Sequence, residues 1–163
     1  MVTLVPYVPG MLKPEVRLHL PAGTEFVRVD GSDYNYWYLL MTAWRWPDGF
    51  LVVEQDILPT DEQLQEILEC PEPRCVFGYQ RHGAYTEALG MAKFSGEFCQ
   101  RTRHLFIPPE VPLAVHWSQC DGWIYQRLLD YPQHSHGEVQ HLTEGSNAGY
   151  FESRNIYSME LAR

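Results

Sequence analysis

The sequence predicts an α/β protein, a single compact Rossmann-like domain with a mostly parallel central sheet flanked by helices. Three observations carry that prediction. Strand-like and helix-like patterns alternate along the chain in the order β-α-β-α-β-α-β-α. One segment, Phe50 to Val53, is four consecutive apolar residues, the pattern of a strand covered on both faces. At 163 residues the chain is long enough to bury one core without disulfides or a structural metal.

Taken in order, Thr3 to Val8 reads as a first strand, stopped by Pro9-Gly10. A short helix fits Met11 to Leu20, with Lys13-Pro14 near its start. Glu25 to Val29 is a second strand, and Asp30-Gly31 is a turn signal. Asp33 can cap a helix running to about Trp46. That helix is apolar nearly all round, which predicts burial or a place under a ligand. Pro47-Asp48-Gly49 then turns the chain into the strand that ends at Glu54-Gln55-Asp56. Thr60 and Gln63 have capping-box spacing for a helix whose inner stripe is Leu64, Ile67 and Leu68. Cys75 to Tyr79 is another strand, and the glycine-broken stretch Ala88 to Gln100 reads as a strand-to-helix passage. Pro108, Pro109 and Pro112 mark a loop. Ser118 and Asp121 suggest a second capping box, for a helix Asp121 to Leu129 facing inward with Ile124, Leu128 and Leu129. The expected domain is residues 1–144, followed by a tail or lid over 145–163.

Composition narrows the function classes. The net charge is −9, which argues against general nucleic-acid binding or docking on acidic membranes. Cys70, Cys75, Cys99 and Cys120 lack the paired C-x-x-C spacing of a zinc site. No signal peptide and no membrane span is legible, so the expectation is a soluble cytoplasmic protein without a membrane partner. Five Trp and ten Tyr supply core volume and also suit stacking on sugar rings and nucleobases.

Two constellations can carry chemistry. Glu54 and Asp56 leave the buried strand together, at the carboxyl edge where open α/β sheets bind ligands. On an extended strand they share a side and can hold a hard divalent cation; the alternative is a pair of solvated acids. His134 and His136 share a face of an extended segment, with His141 in a following strand. Three imidazoles in eight residues suit a metal, and surface or core-satisfied histidines are the alternative for His134 and His136.

Together, VVEQDI, CPEPRCVFGY, ALGMAKFS, HW with Asp121 a few residues on, and HSHGEVQHL resemble a family of small glycosyltransferases. They occur in actinobacteria and their phages and have a GT-A-like fold; the resemblance spans about Val2 to Leu142. It implies a metal-dependent transfer of a sugar from a nucleoside diphosphate to an unidentified acceptor: a modified DNA base, a protein, a glycan or a small molecule. Asp56 would be the principal metal ligand with Glu54 beside it, and His141 would complete coordination of Mn or Mg. Glu54 stands where many relatives of the fold have Asp, so it could bind ribose or reach the metal through water instead. Pro6, Tyr7 and Val8 would line the base, and Asp30 would bond base or ribose. Gln55 would join the donor site, and Arg17 is a candidate for the diphosphate, with a solvated surface charge as its alternative. Tyr34 or Trp37 would stack on the base or else fill the core. Gly90 would let the backbone pass beneath the sugar, with Lys93 contacting hydroxyl or phosphate. His116 and Trp117 would cover the sugar, and Asp121 would be the catalytic base or, alternatively, a helix-dipole acid. So short a chain implies an open acceptor face or a homo-oligomer.

Two other classes compete with that reading. A zinc-dependent hydrolase would use His134, His136 and His141 with Asp56 or Asp121. A non-enzymatic carbohydrate- or protein-binding module would be indifferent to Asp56→Ala.

Overall fold

The computed structural model describes residues 1–29, 33–81, 83–106 and 117–142. Asp30, His116 and the tail 145–163 lie outside these residues, as do the side chains of Tyr34 and Trp117. The first half alternates as its patterning predicts: β1 (Val2–Tyr7), α1 (Pro14–His19), β2 (Glu25–Arg28), α2 (Asp33–Ala43) and β3 (Gly49–Val53). A short β4 (Ile57–Leu58) precedes α3 (Asp61–Glu69), and then β5 (Arg74–Arg81) and β6 (Ala84–Ser95) follow directly on one another. The chain continues through α4 (Gly96–Thr102), a 3-10 turn, α5 (Trp117–Arg127), β7 (His134–Glu138) and β8 (Gln140–His141).

The main sheet has six strands in the order β2-β1-β3-β6-β5-β7. β1 is parallel to β2 and β3, and β5 is parallel to β7. Only β6 runs against its neighbours, β3 and β5. The sheet is therefore mostly parallel, but not by simple alternation of strand and helix. Ala84–Ser95 is a full strand returning from β5, longer than the passage predicted there. β4 and β8 form a separate two-stranded ribbon, with Ile57 opposite His141.

All five residues of β3 are buried, because both faces of the sheet are covered. Phe50 and Val52 enter one core with Trp44 of α2's end and Ile124 of α5. Leu51 and Val53 enter the other with Val16 of α1 and Leu64 and Ile67 of α3. Thr60 and Gln63 form the predicted capping box. Gly49 starts β3 with φ +71, and a Cβ there would meet the backbone of Phe94 and Gly96, so glycine is required twice over.

Three local expectations are corrected. Leu68 is largely outside the stripe of α3, and Leu129 lies beyond the end of α5 in solvent. The last helix begins at Trp117, so Ser118 lies inside it rather than at its N-cap. The strand carrying the acids ends at Val53: Glu54 to Ile57 is a turn closed by Ile57 N–H to Glu54 O at 3.1 Å. Period-two alternation therefore stops before Glu54 and does not govern where the two acids point. Among the described residues no helix is long and apolar enough to cross a membrane.

Candidate functional site

The turn after β3 lies at the carboxyl edge of the sheet, beside the end of β1. From β1 the chain moves out to β2 by way of α1 on one face. It then returns past β1 to β3 by way of α2 on the other face. Strand order thus reverses about β1, and the crevice between the ends of β1 and β3 is the topological switch point at which such sheets bind ligands. Pro6, Tyr7 and Val8 stand on one side of it and Glu54, Gln55 and Asp56 on the other.

Gln55 holds the two sides together. Its Oε1 accepts from Val8 N–H at 2.8 Å, and its backbone carbonyl accepts from Lys13 N–H at 3.1 Å. The side chain is fully buried, and its Nε2 has no hydrogen-bond partner among the described residues. A buried amide donor left in this state is uncommon and disfavours an apo site that stays dry.

Asp56 is only 4% exposed. Its Oδ2 lies 3.4 Å from Nε2 of His141, which the β4–β8 ribbon brings in from the far end of the described chain. Leu142 N–H donates to Asp56 O at 2.8 Å, fixing the ribbon to the turn. The hydrogen bond to Asp56 raises the His141 pKa against the opposing effect of burial, so the imidazole favours its charged form. The His141 ring also lies 5.2 Å from that of Tyr79.

Glu54 is held differently. Tyr36 of α2 donates its hydroxyl to Glu54 Oε1 at 3.0 Å. Burial and then the Asp56 charge raise the Glu54 pKa to about 7, partly offset by Tyr36, Arg81 and His141. Asp121 of α5, 8% exposed, belongs to the same electrostatic neighbourhood. With burial and Glu54, it raises the hydroxyl pKa of Tyr36 and of Tyr79. Three carboxylates thus converge on one edge, with Arg81 and His141 as the cations the described residues place near Glu54. A surface depression lined by Gln80, Glu138, Gln140 and His141 adjoins the imidazole.

Asp56 offers a carboxylate and His141, once its imidazole gives up its proton, a ring nitrogen at close range, donors that a divalent cation can share. Glu54 is drawn towards Tyr36, so its contact with such a cation would run through water or need a rotation.

Other expected residues lie elsewhere. Lys93 is 2% exposed in the body of β6, where its Nζ donates to the Cys70 carbonyl; it anchors the end of α3 rather than reaching a ligand. Arg17 is exposed on α1, its guanidinium 5.1 Å from the Phe26 ring beside the edge strand β2. Trp37 packs edge-on against Trp123 at 6.3 Å and fills the core. Gly90 does permit a close approach, but of the Tyr79 ring, which a Cβ there would strike. Tyr36, Tyr79 and Arg81 were the residues sequence reasoning missed. Tyr79 and Arg81 carried a signal: they continue the alternation of Cys75 and Phe77 to the carboxyl edge. Tyr36 carried none, one tyrosine among several in an all-round apolar helix.

Known proteins add no constraint to this geometry. No family model, curated protein or solved structure matches the chain. The histidine cluster also divides: His134 and His136 sit with Cys70, whereas His141 sits with Asp56. A zinc site made of all three imidazoles is therefore not assembled among the described residues.

Proposed function

We propose that the chain is a metal-dependent glycosyltransferase that binds a nucleoside-diphosphate sugar at the switch point between β1 and β3, in a GT-A-like arrangement. The observation that carries this reading is the meeting of Asp56 with His141, delivered by a separate ribbon to the carboxyl edge of a mostly parallel sheet. Pro6 to Val8 and the free amide hydrogens of Gln55 suit a nucleobase or ribose at the same crevice. Asp56 and His141 would hold Mn or Mg, which when bound neutralises the diphosphate of the donor.

The residues of the chain supply the rest. In the transfer, the bond from the anomeric carbon to the donor phosphate oxygen breaks and a bond to the acceptor oxygen forms. The acceptor hydroxyl gives up its proton, and Asp121 is the candidate base. Glu54, within range of the Asp56 charge, is hydrogen-bonded to Tyr36, which in turn feels the Asp121 charge. The acceptor classes are a modified DNA base, a protein or a glycan.

A thermal-shift screen of nucleotide sugars with and without Mn tests this reading. Stabilisation by one donor family, dependent on Mn and lost in Asp56→Ala and His141→Ala, is the expected result. If no nucleotide sugar stabilises the protein, or if both variants respond like the parent, the donor site is wrongly placed.

A further inference from the structure

A second cluster of donor atoms lies away from the switch point, where the end of α3 meets the edge strand β7. Cys70, His134 and His136 each offer one ligand atom there, all within 4.8 Å of one another. Cys70 is the C-cap of α3, and His134 and His136 alternate on β7, so both imidazoles face the helix end. No short sequence motif announces the site, because its sulfur and its nitrogens lie more than sixty residues apart in the chain.

His136 is the decisive residue. Its side chain is 5% exposed, and Nδ1 is 2.7 Å from Oε1 of Glu66, one helical turn before Cys70. The remaining nitrogen, Nε2, is buried without a hydrogen-bond partner among the described residues. A carboxylate on one ring nitrogen and an unfilled position on the other is how a metal-binding histidine is oriented. The ring is clamped as well, stacked on Phe77 at 5.1 Å and edge-on to His134 at 4.6 Å. Cys70 is equally constrained: its carbonyl accepts from the buried Lys93, and its sulfur is 3.2 Å from the Cys75 sulfur.

We propose that Cys70, His134 and His136 bind one zinc-class cation, with Glu66 orienting His136 and water or an outside ligand in the fourth position. One thiolate and two imidazoles select zinc over the oxygen-seeking Mn or Mg of the switch-point site. On binding, the Cys70 thiol releases its proton to solvent. The cation clasps β7 to the helix end. This edge strand is polar and largely exposed, and otherwise relies on its ladder with β5 and a few side-chain bonds.

The test uses the full chain, untagged, reduced and stripped of metal, in an Asp56→Ala background that disables the other site. Zinc is expected to bind at one equivalent and raise the melting temperature, and cobalt to give a sulfur-to-metal charge-transfer band. Cys70→Ala should abolish that band. His134→Ala, a change at an exposed side chain that the fold tolerates, should remove stoichiometric zinc. Glu66→Gln should weaken zinc by about 10–100-fold while keeping the band. Failure of the reduced protein to take up an equivalent of zinc overturns the proposal. So does undiminished binding by His134→Ala, or a cobalt complex without the sulfur band. None of these outcomes depends on a nucleotide sugar, so the donor-site reading stands or falls separately.

Discussion

Glu54 is the residue at which stability and chemistry pull apart. Its carboxyl, half-buried beside Asp56, has its pKa raised to about 7. A raised acid binds its proton more tightly in the folded than in the unfolded chain, so stability is greatest at low pH on this account. It falls as pH climbs from about 4.5 to about 7. His141, also raised, acts in the same sense: its contribution is present when protonated and lost as pH passes above its folded value. Glu54→Gln keeps an acceptor for the Tyr36 hydroxyl and removes the repulsion from Asp56. In metal-free protein at pH 8 this variant should be more stable by about 1–2 kcal/mol, with a flatter dependence on pH. Urea denaturation at several pH values measures both, and a variant less stable than the parent at pH 8 would show that Glu54 is not in conflict with Asp56. The identities of Glu54 and Asp56 were legible in the sequence as a pair, but their separate partners were not. A turn places them, and turn geometry depends on Gly90 and Tyr36, residues remote in the chain.

At the scale of elements, β6 shows how a glycine can serve the site from behind. Glu54 N–H donates to the Gly90 carbonyl at 2.8 Å, and the missing Cβ makes room for the Tyr79 ring. Gly90→Ala would gain about 0.5–1 kcal/mol from reduced backbone freedom in a strand. The clash with a ring that is itself only 2% exposed costs about 1–3 kcal/mol, so the clash wins. The expected outcome is a net loss of up to about 2.5 kcal/mol and a displaced Tyr79, seen by calorimetry and by shifts in the His141 ring resonances. An unchanged His141 spectrum would separate Tyr79 from the site. The helices were the more readable elements: the Thr60–Gln63 capping box and the all-round apolar α2 follow from local pattern. The reversal of β6 was hidden because an apolar, glycine-broken run is the same string whichever way the strand runs. Only the short connection from Arg81 to Ala84, which excludes a parallel crossover, bore on its direction.

For the whole molecule, the carboxyl edge of β3 was predictable from burial alone, and the convergence upon it was not. His141 reaches Asp56 through a ribbon of two residues on each side, too short to register as a period. The cluster of Cys70 with His134 and His136 was obscured for a different reason: cysteine spacing looks for neighbours in sequence, and here the partners come from another strand.

The β5–β6 hairpin carries one further consequence, for the order in which the molecule assembles. In the six-stranded sheet it is the one pairing between strands joined by a tight turn; the other four pairings must first close longer segments, from the helical connection of β1 to β2 up to the span from β5 to β7. Loop closure is slow relative to hairpin formation, so this ribbon should be the first sheet structure to persist during refolding. It already contains Tyr79, Arg81 and Gly90, so the floor beneath the acidic turn would exist before β1 and β3 come alongside to deliver Val8 and Asp56. Pulse-labelling of amide hydrogens during refolding should find Phe77 and Met91 protected ahead of Leu4 and Val5. Protection of β1 first would mean that assembly begins at the crevice rather than beneath it.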